Sequence, residues 1–180
     1  MESLASKYAS AIVSIAKEEN KCLEYKNSLI SLLDTFAMDE AIPKYLESYF
    51  VSNDDKDKII DSLTEPYRLN NLTSFMKLVT RKHLIYKFKE IVKEAKKLLN
   101  VELDIEDGYV YSTTELSKDR IQQIEVAIAK KLNHEVELKN IIDPRLIGGV
   151  RVVIHDHVYD GSIKNKLENL KENLKERRTA

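Results

Sequence analysis

The chain has 180 residues, enough for one or two domains, and is 43% hydrophobic and 33% charged with only four Gly and three Pro, the make-up of a helix-rich protein with a real core. Its 29 basic and 30 acidic residues are finely mixed and leave a net charge of −1, so the basic excess that phosphate neutralisation asks of a nucleic-acid binder is missing from the linear sequence. The single cysteine, Cys22, excludes an internal disulfide and fits a reducing compartment; no basic-plus-apolar leader opens the chain and no run approaches the ~20 apolar residues of a membrane span, so any membrane attachment is expected to be indirect.

In chain order, Ser3 to about Asn20 places Leu4, Tyr8, Ala11, Ile12 and Ile15 on one helical stripe. Alanines at 5, 9, 11 and 16 leave parts of this helix thin enough for another helix to come close. A second helix is expected from Leu23 to Phe36, with Leu29, Ile30, Leu32, Leu33 and Phe36 inward. Pro43 sits early in a third, followed by Tyr45, Leu46, Tyr49 and Phe50. Asn53-Asp54-Asp55 signals the start of a fourth, carrying Ile59, Ile60 and Leu63, which Pro66 closes. The fifth begins near Leu69 and carries Leu72, Phe75, Met76, Leu78 and Val79. The sixth, from about His83, repeats apolar residues at Leu84, Phe88, Ile91, Ala95 and Leu98. Six helices joined by short connections predict an antiparallel bundle over residues 1–104. The first and fifth carry apolar residues over arcs wider than one core face needs.

After Asn100 the period changes. Val101, Leu103 and Ile105 alternate with acids, Asp107-Gly108 interrupts, and Tyr109-Val110-Tyr111 resumes with strand formers. Ser117 is the expected N-cap of a helix carrying Ile121, Ile124, Ile128 and Leu132. Val136 and Leu138 suggest a short strand, Asp143-Pro144 a turn, and Gly148-Gly149 a place where the backbone needs freedom. Val150, Val152 and Ile154 form a strand that Val158 resumes after His155-Asp156. Asp160-Gly161-Ser162 turns the chain into a last helix, capped by Ser162, with Ile163, Leu167, Leu170 and Leu174 on one stripe and Arg177 and Arg178 at its negative end. The fold class is therefore mainly α, a six-helix bundle followed by a small α+β domain over residues 105–180.

Little in the sequence points to catalysis. His155 and His157 resemble a metal fragment, but no further ligand follows at a recognisable spacing and a turn at 155–156 separates the imidazoles. His83 and His134 are isolated, and read as surface or cap residues. Gly148-Gly149 lacks the spaced glycines and the following Lys-Ser/Thr of a phosphate loop, and a strand follows it instead of a helix. Asp143 and Asp160 each lie in a turn sequence where the carboxylate serves the backbone. Two other classes remain as alternatives: a helical nucleic-acid-binding or regulatory adaptor, and a small metalloenzyme built on His155 and His157.

Together these segments resemble the delta subunit of the F-type ATP synthase, called OSCP in mitochondria. Tyr8-Ala9-Ser10-Ala11-Ile12 is similar to that family's opening helix, and Phe75-Met76-Lys77-Leu78-Val79 through Leu84 and Ile91 to its fifth and sixth helices. The most specific pieces are Asp143-Pro144-Arg145-Leu146-Ile147-Gly148-Gly149-Val150 and Asp160-Gly161-Ser162-Ile163. The resemblance implies a non-catalytic subunit of the peripheral stalk, without cofactor, on the cytoplasmic side of a bacterial membrane and not inserted in it. It implies that an alpha-subunit N-terminal helix docks on the first and fifth helices, at positions matching Tyr8, Ala11, Ile12, Ile15, Phe75, Leu78 and Val79. It implies further that the C-terminal part holds the end of the b subunit, with Asp143, Pro144, Leu146, Gly148, Gly149, Asp160, Gly161 and Ser162 serving the structure. His155-Asp156 stands where the family often has Gly-Asp, so a left-handed backbone is expected at His155.

Overall fold

Residues 3–176 are described by the computed structural model, without the side chains of residue 169 and residues 172–176. The Leu174 side chain, and Arg177 and Arg178, therefore lie outside the described residues. The chain divides into two compact units, Met1–Leu103 and Asp104–Ala180.

The first unit opens on Ser3, which is extended and whose Oγ accepts the Ser6 N–H at 3.1 Å, satisfying one of the free donors at the start of α1 (Leu4–Glu18). Ala5, Ala9, Ile12, Val13 and Ala16 form the buried face of α1, and this face runs along α6 (Phe88–Glu102). Three of those five residues are alanine, so the two backbones approach closely without a clash. Helix α2 (Cys22–Met38) buries Tyr25, Leu29, Leu32 and Phe36. Helix α3 (Ala41–Glu47) is only seven residues long and contributes Leu46. Ser52, rather than Asn53, caps α4 (Asn53–Thr64), accepting the Asp55 N–H at 3.2 Å. Pro66 lies in a single 3-10 turn, Glu65–Tyr67, and α5 (Asn70–Arg81) follows.

The sixth helix starts later than its apolar repeat suggests. Ile85–Lys87 forms another 3-10 turn, and His83 before it is left-handed at φ 54°. Its end also lies beyond the point where the sequence changes period. Val101 and Glu102 still belong to α6, and Val101 is exposed; only Ile105 begins a strand. Two apolar residues spaced by an acid match a strand as well as a fraying helix end, and the helix won here. The expectation of a six-helix bundle is accordingly met in coarser form. The chain is mainly helical, with eight α-helices among the described residues, two 3-10 turns, and one four-stranded sheet toward the C-terminus.

The second unit is built on strand order β2-β1-β3-β4, with β1 Ile105–Ser112, β2 Glu135–Ile142, β3 Val150–Ile154 and β4 His157–Asp160. β1 and β2 are parallel, Ile105 opposite Glu135 and Ser112 opposite Ile142, and α7 (Lys118–Leu132) makes the crossover between them. Ser117 caps α7 as expected. β3 runs antiparallel to β1 and returns to β4 through His155-Asp156, where His155 takes φ 48°. One sheet face, with Val110, Val136, Leu138, Val152 and Ile154, packs on Ile128 and its neighbours in α7. α8 (Ile163–Glu176) follows β4.

Asp107-Gly108 does not split the first strand, contrary to the sequence reading. Gly108 pairs with Leu138 on one side and Ile154 on the other, and its missing side chain is what lets the two neighbours meet. A Cβ built there would stand 2.6 Å from Ile154 Cγ1 and 2.8 Å from Leu138 Cδ2. Gly108→Ala is expected to destabilise this unit by about 1–3 kcal/mol through overpacking. Urea unfolding followed on β3 amide signals measures it, and wild-type stability would show that the packing is looser than described.

Candidate functional site: a groove along the first and fifth helices

The two faces of α1 serve different purposes. Residues 5, 9, 12, 13 and 16 face the core, and Tyr8, Ala11 and Ile15, with Lys7 beside them, form the strip that flanks this face, Tyr8 and Ile15 still packing against the core's edge. α5 is divided likewise: Leu72, Phe75, Met76, Val79 and Thr80 are buried, and Asn71, Ser74 and Leu78 line the groove together with the edge of the Phe75 ring. The helices run antiparallel, since Asn71 Nδ2 donates to Glu19 Oε1 at 2.6 Å at one end while the Tyr8 and Phe75 rings meet edge-on at 6.4 Å further along. Between them lies an open groove of about 420 Å³. From Asn71 to Leu78 it spans roughly 10 Å of helix rise, about two turns.

The groove wall is mostly apolar and partly wet. Leu78 is 46% exposed, Ala11 is exposed, and Tyr8 and Ile15 are half-buried. Such a surface gains by covering, at about 25 cal/mol per Å² of apolar area removed from water. Ala11 is the low point of the α1 side, where a methyl group replaces the bulk of its neighbours.

Of the seven positions expected to receive a helix, the structure brings five to the groove: Tyr8, Ala11, Ile15, Phe75 and Leu78. Ile12 and Val79 have no exposed surface and belong to the core of the unit. Ala9, which looked available in the sequence, is used by internal packing in the same way. Three polar lining residues were missed: Lys7, Asn71 and Ser74. The signal was present for two of them, because Lys7 precedes Tyr8 and Ser74 precedes Phe75 on adjoining strips of their helices.

Tyr25 and Glu19 brace one end. The Tyr25 hydroxyl donates to Glu19 Oε2 at 2.9 Å while Asn71 holds the other oxygen. Burial, and then the hydrogen bond to Glu19, push the Tyr25 hydroxyl far above the usual range, so it stays a donor. This ties α1, α2 and α5 through one carboxylate.

In the second unit the residues of the two sequence motifs come together. Asp143, buried, accepts the Arg145 N–H at 3.1 Å and the Arg145 guanidinium at 2.9 and 3.1 Å, and its own N–H donates to Ser112 O at 2.9 Å. Pro144 occupies the turn that follows, and Leu146 closes it by donating its N–H to Asp143 O at 3.1 Å. Gly148 O accepts the Ile163 N–H at 3.0 Å, and Val150 O accepts the Gly161 N–H at 2.9 Å. Gly149, at φ 82°, lies so close that a Cβ there would meet Gly161 O at 2.6 Å. Asp160 accepts the Ser162 N–H at 2.8 Å, and Ser162 Oγ accepts the Asn165 N–H at 3.2 Å to start α8. Hydrogen bonds from Arg145 hold the Asp143 carboxyl below its ordinary range, and those from Ser162 do the same for Asp160. Both carboxylates thus serve the backbone, as their turn sequences suggested.

The remaining chemical candidates do not assemble. His155 Nδ1 is 4.0 Å from half-buried Glu106 and His134 Nδ1 is 2.8 Å from exposed Asp104, each a single pair. His83 stacks on Tyr49 at 4.4 Å. Among the described residues no group of three or more His, Cys, Asp or Glu side chains is placed to hold a metal ion. Among them, too, no helix is long and apolar enough to cross a membrane.

Fold and groove define a mainly helical protein with a helix-sized apolar cleft on its first unit and a small α+β second unit. A sequence profile described as ATP synthase delta (OSCP) subunit matches residues 4–174. The chain is 35% identical over 175 residues to an ATP synthase subunit delta of Mycoplasma mycoides subsp. mycoides, covering 94% of this chain and 95% of the relative. A protein of the same name from Mesoplasma florum is 32% identical over 173 residues, with 94% of each chain covered. A chain in a cryo-EM structure of the Toxoplasma gondii mitochondrial ATP synthase hexamer shares the fold, with a TM-score of 0.62, 15% identity and coverage of 96% of this chain and 97% of that one. The protein belongs to the ATP synthase delta (OSCP) subunit family.

The Asp143 pairing has an expected pH signature. A carboxyl held below its unfolded value of ~3.9 contributes stability that is present above that pH and is lost as pH falls through the folded value. Asp143→Asn removes the charge-assisted bonds at every pH. The difference in urea stability between wild type and variant, followed on β3 amides, is therefore expected to be largest at about pH 7 and to shrink toward about pH 3. A gap that stays constant across that range would mean that the Arg145 pairing is not what the carboxylate contributes.

Proposed function

We propose that this protein is the non-catalytic stator subunit of an F-type ATP synthase, joining the catalytic head to the membrane-anchored b subunit so that proton flow stays coupled to ATP synthesis. The observation that carries this reading is the α1/α5 groove, two helical turns long, apolar, and lined by five of the seven residues at which the family resemblance implies docking. Its occupant is the N-terminal helix of an alpha subunit, seated with apolar anchors at i, i+3, i+4 and i+7 spacing. Ala11 gives the incoming backbone room to approach.

The second unit is the seat of the C-terminal region of the b subunit. Ile163, Leu167 and Leu170 form a stripe along α8 and are each about half exposed, at 45%, 59% and 58%. A helix that keeps three large aliphatic side chains in water on one face is suited to a partner helix. In this reading the protein works at the cytoplasmic face of a bacterial membrane as a peripheral component of the complex. Its part is to transmit force between two attachments, and it needs no cofactor.

Calorimetric titration of the protein with a synthetic peptide from the N-terminus of its cognate alpha subunit tests the reading. Saturable binding with a stoichiometry near unity is expected for the wild type. Ala11→Leu, an exposed helical change that keeps the fold, is expected to weaken binding about tenfold or more by filling the low point of the groove, a loss of about 1.4 kcal/mol or greater. Absence of binding by a folded wild-type protein would remove the proposal, and unaltered binding by Ala11→Leu would place the helix elsewhere.

A further inference from the structure

The exposed seam of α8 is bordered by one sign of charge. At about 100° per residue, Ile163, Leu167 and Leu170 fall within about 60° of one another around the helix. Their four- and three-residue steps are those of a coiled-coil seam. Lys166 borders this seam on one side, Lys164 and Lys171 on the other, and all three are exposed. Glu168 lies on the back of the helix, about 130° from the middle of the seam. Lys164 shares a shallow polar cleft with Asp160 and Glu168, which draw on its charge. Lys166 and Lys171 have no ion-pair or hydrogen-bond partner among the described residues. Among the described side chains, the border of the seam therefore carries cations and no acid.

When two helices pack seam to seam, the residues beside each seam meet across it, and their charges decide which partners are accepted. A second copy of α8 is a poor partner by this rule. Parallel pairing sets Lys166 opposite Lys171 of the second copy, and antiparallel pairing also sets lysine against lysine. We infer that α8 selects its partner by charge, accepting an amphipathic helix whose apolar seam is bordered by Asp and Glu and rejecting a second copy of this chain. The inference rests on α8 being the seat of the C-terminal region of the b subunit. It adds the chemistry of that region: acids at the positions that meet Lys166 and Lys171. The aliphatic stripe supplies contact area that any apolar helix could use, and the lysines supply the discrimination. They also keep an exposed apolar stripe from pairing with itself before its partner is met.

The test titrates full-length protein, at low and at high salt, with a synthetic peptide spanning the C-terminal region of its cognate b subunit. Two variants accompany the wild type, each shown folded by circular dichroism. The double variant Lys166→Glu/Lys171→Glu reverses the two unpaired border charges, and Leu167→Gln damages the seam itself. The double variant is expected to bind about tenfold more weakly than wild type at low ionic strength, with most of that loss gone at about 1 M salt. Leu167→Gln is expected to weaken binding about tenfold or more at both salt concentrations. Wild-type affinity in the double variant at low salt, with Leu167→Gln still impaired, overturns charge selection and leaves α8 as the seat. Wild-type affinity in Leu167→Gln, or no binding by the wild type, overturns the seat and the inference together. Sedimentation equilibrium of the protein alone is expected to show a monomer; a dimer that Leu167→Gln dissolves would overturn the rejection of a second copy.

Discussion

The close packing of α1 on α6 governs the first unit. Ala5, Ala9 and Ala16 bring the two backbones together, with Ile12 and Val13 filling the space between them. A helix held that tightly on one side has its rotation fixed, and the side it turns outward is then not negotiable. The same geometry that buries Ile12 sets Tyr8 and Ile15 half-buried at the core's edge and leaves Ala11 exposed. α5 meets them because Asn71 is tied to Glu19 and Phe75 to Tyr8. Groove and core are two aspects of one packing decision, so a residue cannot be moved between them without moving the helix.

Much of this was legible from spacing alone. Helical periodicity located every long helix, and the surplus of apolar residues on the first and fifth helices pointed to the pair that forms the groove. The sequence could not assign each apolar residue to core or cleft. Ile12 and Ile15 are three positions apart, about 300° around the helix, near enough to share a stripe and far enough to end on different sides of its edge. Val79 and Leu78 are neighbours in sequence that part in the same way, one without exposed surface and the other 46% exposed. Which side of that edge each residue takes depends on the rotation set by α6, and that is a tertiary fact.

The stretch from Val101 to Gly108 was misread because one local pattern suits two structures. Val101 and Leu103 alternate with acids, yet exposed Val101 lies in the last turn of α6 and Leu103 follows as its C-cap. Gly108 looked like an interruption because glycine usually weakens a strand. Here it sits centrally in β1 between Leu138 and Ile154, whose side chains occupy the room a Cβ would need. The turns, by contrast, were readable, since Asp143, Asp160 and Ser162 act on backbone groups within a few residues. Local hydrogen bonding is visible in a sequence; mutual filling of space between strands is not.

The junction of Gly148-Gly149 with Gly161-Ser162 also has a mechanical meaning. Two main-chain hydrogen bonds, Gly161 N–H to Val150 O and Ile163 N–H to Gly148 O, tie the root of α8 to the beginning of β3. β3 is an inner strand, bonded to β1 along one side and to β4 along the other. Tension applied along α8 therefore enters the sheet at an interior strand, where neighbouring bonds share the load. Had α8 been joined only through β4, the same pull would peel an edge strand of four residues, one bond at a time. A backbone contact that only glycine permits thus converts a hinge into a rivet.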